Sequence, residues 1–278
     1  MEPAGGRIEF LAEPLREGGK ADGYPDMQFG CEAPRPDGGV WIYGWKLVNW
    51  QDPTRRAIEI VRVSTRDGLK FDGEEMLWLL VNKDWQGFAN IVRRPTDGAL
   101  FFFSYSAGEL RVYRSDDGTT WQSLTDKAYI DHDAMTVIWY GPWNEFVNYQ
   151  NTLEPFAKRY PDNIGNFRRV ISFRRSADGI RWTSFSPRFL NSEKYWRPDE
   201  RDPVDLEFYL GIVFPTGGRY AMLLQDYIAP PAEANSRRAT TKHGPRGVVE
   251  WAISRDGLNW SRPYRELDAT EHVAGLPV

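Results

Sequence analysis

One short phrase occurs four times in this chain: Ser or Thr, any residue, Asp-Gly, any two residues and an aromatic. The copies are Thr65–Phe71, Ser115–Trp121, Ser176–Trp182 and Ser254–Trp260. Asp-Gly favours a tight turn, because Asp accepts hydrogen bonds from the backbone N–H groups that follow it and Gly tolerates a positive φ. Each copy also follows an apolar, strand-like run such as Ile58–Val63. A phrase repeated with the same flanks indicates a repeated β-hairpin unit.

The spacing of the phrases suits a β-propeller. Their Asp residues, at positions 67, 117, 178 and 256, are 50, 61 and 78 residues apart. A four-stranded blade takes about 40–50 residues, so the shortest interval matches one blade and the longer ones match blades with inserted loops. We predict an all-β fold, a β-propeller of four-stranded antiparallel blades, in a single domain over residues 1–278. A β-sandwich or another all-β array is the alternative.

The strand-like runs divide the chain into four blades, each ending in one copy of the phrase. The predicted innermost strands are Met27–Ala33, Phe88–Arg93, Met135–Tyr140 and Glu207–Phe214. The predicted outermost strands are Leu69–Phe71, Thr120–Gln122, Arg181–Thr183 and Asn259–Ser261. The segments Arg7–Pro14 and Tyr264–Val278 remain, and they could form a minimal fifth blade together. Alternatively, the fifth blade is incomplete.

Composition and charge exclude several function classes. No run approaches 18 apolar residues, so the sequence predicts no membrane-spanning segment. The net charge of −4 is not that of a nucleic-acid-binding domain. Cys31 is the only cysteine, which excludes an internal disulfide and a cysteine-based zinc site. No secretory signal is visible at the start of the sequence, so we expect a cytoplasmic location.

The phrase resembles the Asp-box of sialidases and related propellers. The whole pattern, with about five short blades, resembles the five-bladed superfamily that contains glycoside hydrolase families 32, 43, 62 and 68. The resemblance covers residues from about 27 to 262. It implies a carbohydrate-active site on one face of the ring, with three carboxylates near the starts of the innermost strands. In that superfamily these act as base or nucleophile, transition-state stabiliser and general acid.

The phrases themselves should lie away from such a site. In a four-stranded antiparallel blade, the connections between strands one and two and between strands three and four lie on the same face. The connection between strands two and three lies on the other face, together with the link to the next blade. Each phrase joins strands three and four, so we expect it to have only a turn role. The candidate face is therefore the opposite one.

Acidic residues mark the blade starts on the candidate face. Asp26 precedes blade one, Asp131 and Asp133 precede blade three, and Asp205 and Glu207 begin blade four. Cleavage of a glycosidic bond needs one carboxyl group to protonate the leaving oxygen and another to act as base or nucleophile. We predict Asp131, Asp205 and Glu207 as the catalytic acids, with Asp26 and Asp133 in support. The alternative is that strand-start Asp residues make ordinary turn hydrogen bonds.

Six further residues on the same face are predicted to bind a carbohydrate substrate. They are His132, Trp50, Trp85, Tyr209, Arg237 and His243. Aromatic rings stack on the apolar faces of sugars, and basic loop residues suit a polar or anionic ligand. No cofactor is predicted, although strand-start acids could hold a Ca²⁺ ion at the axis. The alternative function is a non-catalytic propeller that binds a glycan or a protein through this face.

Overall fold

The computed structural model of the protein describes residues 27–49, 52, 54–68, 70–81, 85–106, 109–125, 134–158, 164–183, 196–203, 206–228, 246–263 and 265. These residues form fourteen β-strands in four antiparallel sheets and contain no α-helix. The prediction of an all-β chain is confirmed for this part of the protein. No helix long and apolar enough to cross a membrane occurs among these residues.

The first two sheets have four strands each, paired in chain order. Blade one consists of β1 (Gln28–Pro34), β2 (Val40–Val48), β3 (Ala57–Thr65) and β4 (Asp72–Val81). Blade two consists of β5 (Trp85–Arg93), β6 (Leu100–Ser106), β7 (Glu109–Ser115) and β8 (Gln122–Thr125). Consecutive pairing of neighbouring strands is the predicted blade topology.

The third and fourth sheets have three strands and an isolated outer bridge. Blade three consists of β9 (Met135–Tyr140), β10 (Glu145–Pro155) and β11 (Phe167–Ser176). Blade four consists of β12 (Leu206–Thr216), β13 (Arg219–Ile228) and β14 (Arg246–Ser254). At the outer edge, Trp196 pairs with Ile171 of β11 and Ser261 pairs with Ile253 of β14. These bridges occupy the position of the fourth strand.

The predicted outermost strands were wrong in their positions. The strand predicted at Leu69–Phe71 begins only at Asp72, the one predicted at Thr120–Gln122 begins at Gln122, and Arg181–Thr183 forms no strand. The fourth, predicted at Asn259–Ser261, is reduced to the bridge at Ser261. The physical reason is that the tryptophans of the last three phrases pack against the preceding blade, so pairing resumes only after them. The ring centroids of Trp121 and Trp78 are 6.2 Å apart, and those of Trp260 and Tyr149 are 6.0 Å apart.

The four phrases form turns of one geometry. Their glycines have positive φ values of 74°, 77°, 79° and 69° at Gly68, Gly118, Gly179 and Gly257. In the third turn, the Asp178 carboxylate accepts hydrogen bonds from the Ile180 and Arg181 backbone N–H groups at 2.9 and 2.8 Å. The Ser176 hydroxyl accepts the Gly179 N–H at 2.8 Å. The phrase therefore satisfies its own backbone donors.

The core lies between adjacent blades, in three clusters. Representative buried pairs are Trp45 and Phe102 between blades one and two, Phe103 and Phe146 between blades two and three, and Tyr149 and Phe208 between blades three and four. The innermost strands are neighbours in the same order, since β1 contacts β5, β5 contacts β9 and β9 contacts β12. This radial order is that of a β-propeller. The described residues form no sheet between blade four and blade one.

Candidate functional site

The innermost strands border a central cavity of about 750 Å³. Its lining comes from β1, β5, β9 and the last part of β12 (Ile212–Pro215), with Ile42 of β2 and Pro95 of the β5–β6 turn. The cavity thus extends towards the face of the repeated phrases, and Glu207 and Tyr209 at the start of β12 do not line it. The polar and aromatic lining residues include Phe29, Glu32, Asn90, Arg93, Thr136 and Trp139. The volume lies within the range of ligand pockets, about 300–1,000 Å³. The propeller axis thus offers a space with both hydrogen-bonding groups and flat apolar rings.

Glu207, at the start of β12, lies on the face predicted for the site. Its side chain is fully buried, and its Oε2 accepts a hydrogen bond from Arg169 Nη1 of β11 at 2.6 Å. Its Oε1 forms an ion pair with Lys158 Nζ, which follows β10. Both carboxylate oxygens are therefore engaged by cations from blade three.

Two tyrosines flank the Arg169 guanidinium. Its Cζ lies 5.2 Å from the ring centroid of Tyr209 and 5.6 Å from that of Tyr227. The two rings are 5.8 Å apart. Cations over aromatic faces are attracted by the ring quadrupole, so the tyrosines help to hold Arg169 in place. Tyr209, which was predicted to bind substrate, lies beside the predicted acid Glu207.

A second acid on this face is also paired with arginine. The Glu154 carboxylate, near the end of β10, accepts Arg168 Nε at 3.0 Å and lies 3.4 Å from Arg197 Nη1. The Arg168 guanidinium in turn stacks 4.2 Å from the Phe156 ring centroid. Glu154 is nearly fully buried. The junction of blades three and four thus holds a network of ion pairs.

A buried cluster in blade four is built around Arg262. Its Nη1 donates to Asp202 Oδ2 at 2.7 Å, its Nη2 lies 3.5 Å from Asp226 Oδ2, and its Nε contacts the Glu250 carboxylate. A second arginine, Arg265, donates to Asp202 Oδ1 at 2.8 Å. Among the residues that the structure describes, the three carboxylates of this cluster outnumber its two arginines and leave an excess of negative charge.

That excess is relieved by a proton on Asp226. Burial, followed by the neighbouring Glu250 carboxylate, raises the pKa of Asp226 to about 9. Ionised carboxylates only accept hydrogen bonds, so a hydrogen bond between Asp226 and Glu250 requires one of them to keep its proton. The pair therefore shares a proton near neutral pH. Such a pair can also serve as a general acid where substrate reaches it.

The structure describes three of the eleven predicted site residues. Glu207 and Tyr209 lie together, and Trp85 begins β5, where its backbone pairs with Ser106. The others lie outside the described residues, and their roles stay predictions. These are Asp26, Trp50, Asp131, His132, Asp133, Asp205, Arg237 and His243.

Sequence reasoning did not single out Arg169 or the carboxyl cluster. A usable signal existed, because Glu250 interrupts an apolar run inside the predicted strand Gly247–Ile253, and Asp226 is the last residue of the predicted strand Arg219–Asp226. A charged residue at such a position is buried by its neighbours and must find a partner. Among the described residues, no group of three or more His, Cys, Asp or Glu side chains could hold a metal ion.

Comparison with known proteins shows a shared fold. No protein-family model matches the chain, and no curated protein matches it. Among solved structures, a glycoside hydrolase matches with a TM-score of 0.50 and 13% identity. The match covers 87% of this chain and 74% of the hydrolase.

A second structure is that of an N-acetylgalactosamine deacetylase from F. plautii in complex with blood group B trisaccharide. It matches with a TM-score of 0.50 and 12% identity, covering 80% of this chain and 71% of the deacetylase. At such low identity these likenesses show the fold alone. They agree with the radial arrangement of the four blades.

Proposed function

We propose that this protein is a carbohydrate-active enzyme, a glycoside hydrolase that cleaves a glycosidic bond in the central pocket of the propeller. The observation that carries the proposal is the axial cavity. It brings side chains such as Glu32, Asn90 and Trp139 from different innermost strands into one space of sugar size. The similar structures include a glycoside hydrolase and a deacetylase bound to a trisaccharide, which supports a sugar as the ligand.

In this proposal, Asp131 and Asp205 supply the acid and base, and Asp26 and Asp133 support them. Glu207 is the third catalytic carboxylate, and we assign it the stabilising role because its oxygens contact Lys158 and Arg169. The proposed ligand contacts are His132, Trp50, Trp85, Tyr209, Arg237 and His243. We assign five blade positions to the ring and take its repeated turns as Asp-box turns, as the resemblance of the phrase implies.

The test is a screen of the full chain against aryl glycosides and a glycan panel, followed by variants. In Asp131→Asn and Asp205→Asn we expect turnover to fall by about 100-fold or more, since that is the contribution of a general acid or base. The melting temperature should stay nearly unchanged. Asp116→Asn is the control, because Asp116 is an exposed acid in a turn on the opposite face. Full activity in both site variants would overturn the assignment.

The second candidate function is a non-catalytic propeller that binds a glycan or a protein through the same face. It is favoured by the pairing of Glu207 and Glu154 with arginine, which leaves those acids structural. Calorimetric titration with the same glycan panel separates the two functions. Binding without turnover, unaffected by Asp131→Asn and Asp205→Asn, would support the second candidate.

A further inference from the structure

A repeated joint connects each described blade to the next. In each joint, the glycine of the phrase lies against an aromatic ring on the second strand of the preceding blade. The three pairs are Gly118 with Tyr43, Gly179 with Phe103 and Gly257 with Tyr149. The ring thus fills the space that the missing side chain leaves.

The fit in these joints is close. A Cβ atom added at Gly257 would lie 2.9 Å from Tyr149 Oη, and one at Gly179 would lie 3.3 Å from the Phe103 ring. Real Cβ atoms are essentially never found within 3.0 Å of another heavy atom. The Tyr149 hydroxyl also donates to the Gly257 carbonyl at 3.0 Å. The joint is therefore a specific contact between blades.

The strand register fixes where the ring of each joint stands. Within a blade, the first Ser or Thr of the phrase pairs with a residue on the second strand. The ring that contacts the next blade belongs to the residue three positions after that partner. In blade three, Phe146 pairs with Ser176 and the ring belongs to Tyr149. In blade four, Tyr220 pairs with Ser254, so the matching position is Leu223. Leu223 should therefore face a further blade.

Leu223 lies in an apolar surface that we call the open face of blade four. Ile212, Leu223 and Trp251 are paired in a row across β12, β13 and β14. Val249 and Ile253 flank the row on β14, and Val249 is 58% exposed. Exposed apolar patches of this kind mark interaction sites.

The side of blade one that faces the same space also has no described residues packed on its phrase glycine. A Cβ at Gly68 of its phrase would meet no atom of the described residues within 4 Å, unlike those in the three joints. On β4, Met76 is 57% exposed and Leu79 is also exposed. Both sides of the space between blades four and one therefore present apolar surfaces that a blade would cover.

We propose that the N-terminal segment, residues 1–26, packs on the open face of blade four. The segment leads directly into β1, the innermost strand of blade one, and so reaches the ring at this space. Its run Arg7–Pro14 alternates apolar Ile8 and Phe10 with charged Glu9, which is typical of a strand with one buried face. Twenty-six residues suffice for two or three strands of ordinary length.

Photo-crosslinking of the full chain tests the contact directly. The probe is p-benzoylphenylalanine in place of Val249, with cross-linked peptides identified by mass spectrometry. We expect intramolecular cross-links to residues 1–26. The same probe in place of Asp116, an exposed residue of blade two, is the control and should give none to that segment. Cross-links confined to a second copy, to residues 266–278 or to blade four itself would overturn the proposal.

Hydrogen exchange gives a second measurement that does not depend on enzymatic activity. In the double variant Ile8→Asp, Phe10→Asp, we expect faster exchange in β14 and in β4, while β6 and β10 keep their protection. Glu9→Gln is the matched control and should change nothing. Unchanged exchange in β14 of the double variant would contradict the proposal.

Discussion

The Glu207 carboxylate is the acid most completely enclosed by opposite charge. Glu207→Gln removes the buried negative charge that Lys158 and Arg169 both contact. Removing one partner of a buried ion pair costs about 3–5 kcal/mol, so we expect a loss of that size in the free energy of unfolding. Urea denaturation followed by circular dichroism measures it.

The control for Glu207 is Glu75→Gln, which removes the exposed partner of Arg62. Exposed pairs contribute about 1 kcal/mol or less, because solvent screens them. Equal, small losses in both variants would show that Glu207 is not the counter-charge of its two cations. A large loss only in Glu207→Gln also requires that an activity assay on this variant be corrected for stability.

Asp226 should make stability depend on pH in the opposite direction to most acids. Its pKa of about 9 lies above the ordinary value of 3.8, so the folded chain holds a proton that the unfolded chain releases. Stability must therefore fall as the pH rises from about 4 to 9. In Asp226→Asn, whose amide can donate like the protonated acid, we expect a flatter profile and a higher melting temperature at pH 8. The same slope in both proteins would contradict the shared proton.

At the scale of the strand and turn, two glycine variants distinguish the cost of lost packing space from the cost of backbone strain. Gly257→Ala places a methyl group against Tyr149, whereas Gly38→Ala has open space around the same kind of positive φ. The backbone term costs roughly 1–2 kcal/mol in both. Overpacking adds about 1–3 kcal/mol only at Gly257. Thermal unfolding of the two variants measures the difference. Equal losses of stability would show that close packing at the joint does not contribute to stability.

The inner elements were predictable from the sequence because alternation and turn chemistry are local signals. The run Met135–Tyr140 was predicted as a strand and is β9. The outermost strands were not predictable, since they are short and their register depends on tertiary contacts. At Trp182 the aromatic that suggested a returning strand instead packs against Phe103 of the preceding blade, with ring centroids 5.9 Å apart. Packing between blades thus overrides local strand propensity.

For the molecule as a whole, the repeat was enough to predict blades around an axis. The phrases fixed blade order and placed Glu207 at the start of an innermost strand, where the structure has it. The ion pairs of Glu207 could not be predicted from the sequence, because Arg169 and Lys158 belong to another blade and are 38 and 49 residues away along the chain. Such partners follow only from the ring geometry.

The turns and the buried cluster together predict the pH profile of the whole protein. Partial burial opposes the shift, but backbone N–H groups lower the pKa of both Asp178 and Asp256 to about 2. An acid with a lowered folded pKa stabilises the protein above its ordinary value of 3.8, and this stability is lost as the pH falls towards 2. Asp226 acts in the other direction between pH 4 and 9, so the two kinds of acid oppose each other on either side of about pH 4. In the double variant Asp178→Asn, Asp256→Asn we expect the melting temperature to fall less between pH 4 and 2 than in the unmodified protein. If the melting temperature of the double variant falls as much as that of the unmodified protein between pH 4 and 2, the turns do not contribute to stability at acidic pH. Their carboxylates would then have the same pKa in the folded and unfolded chain.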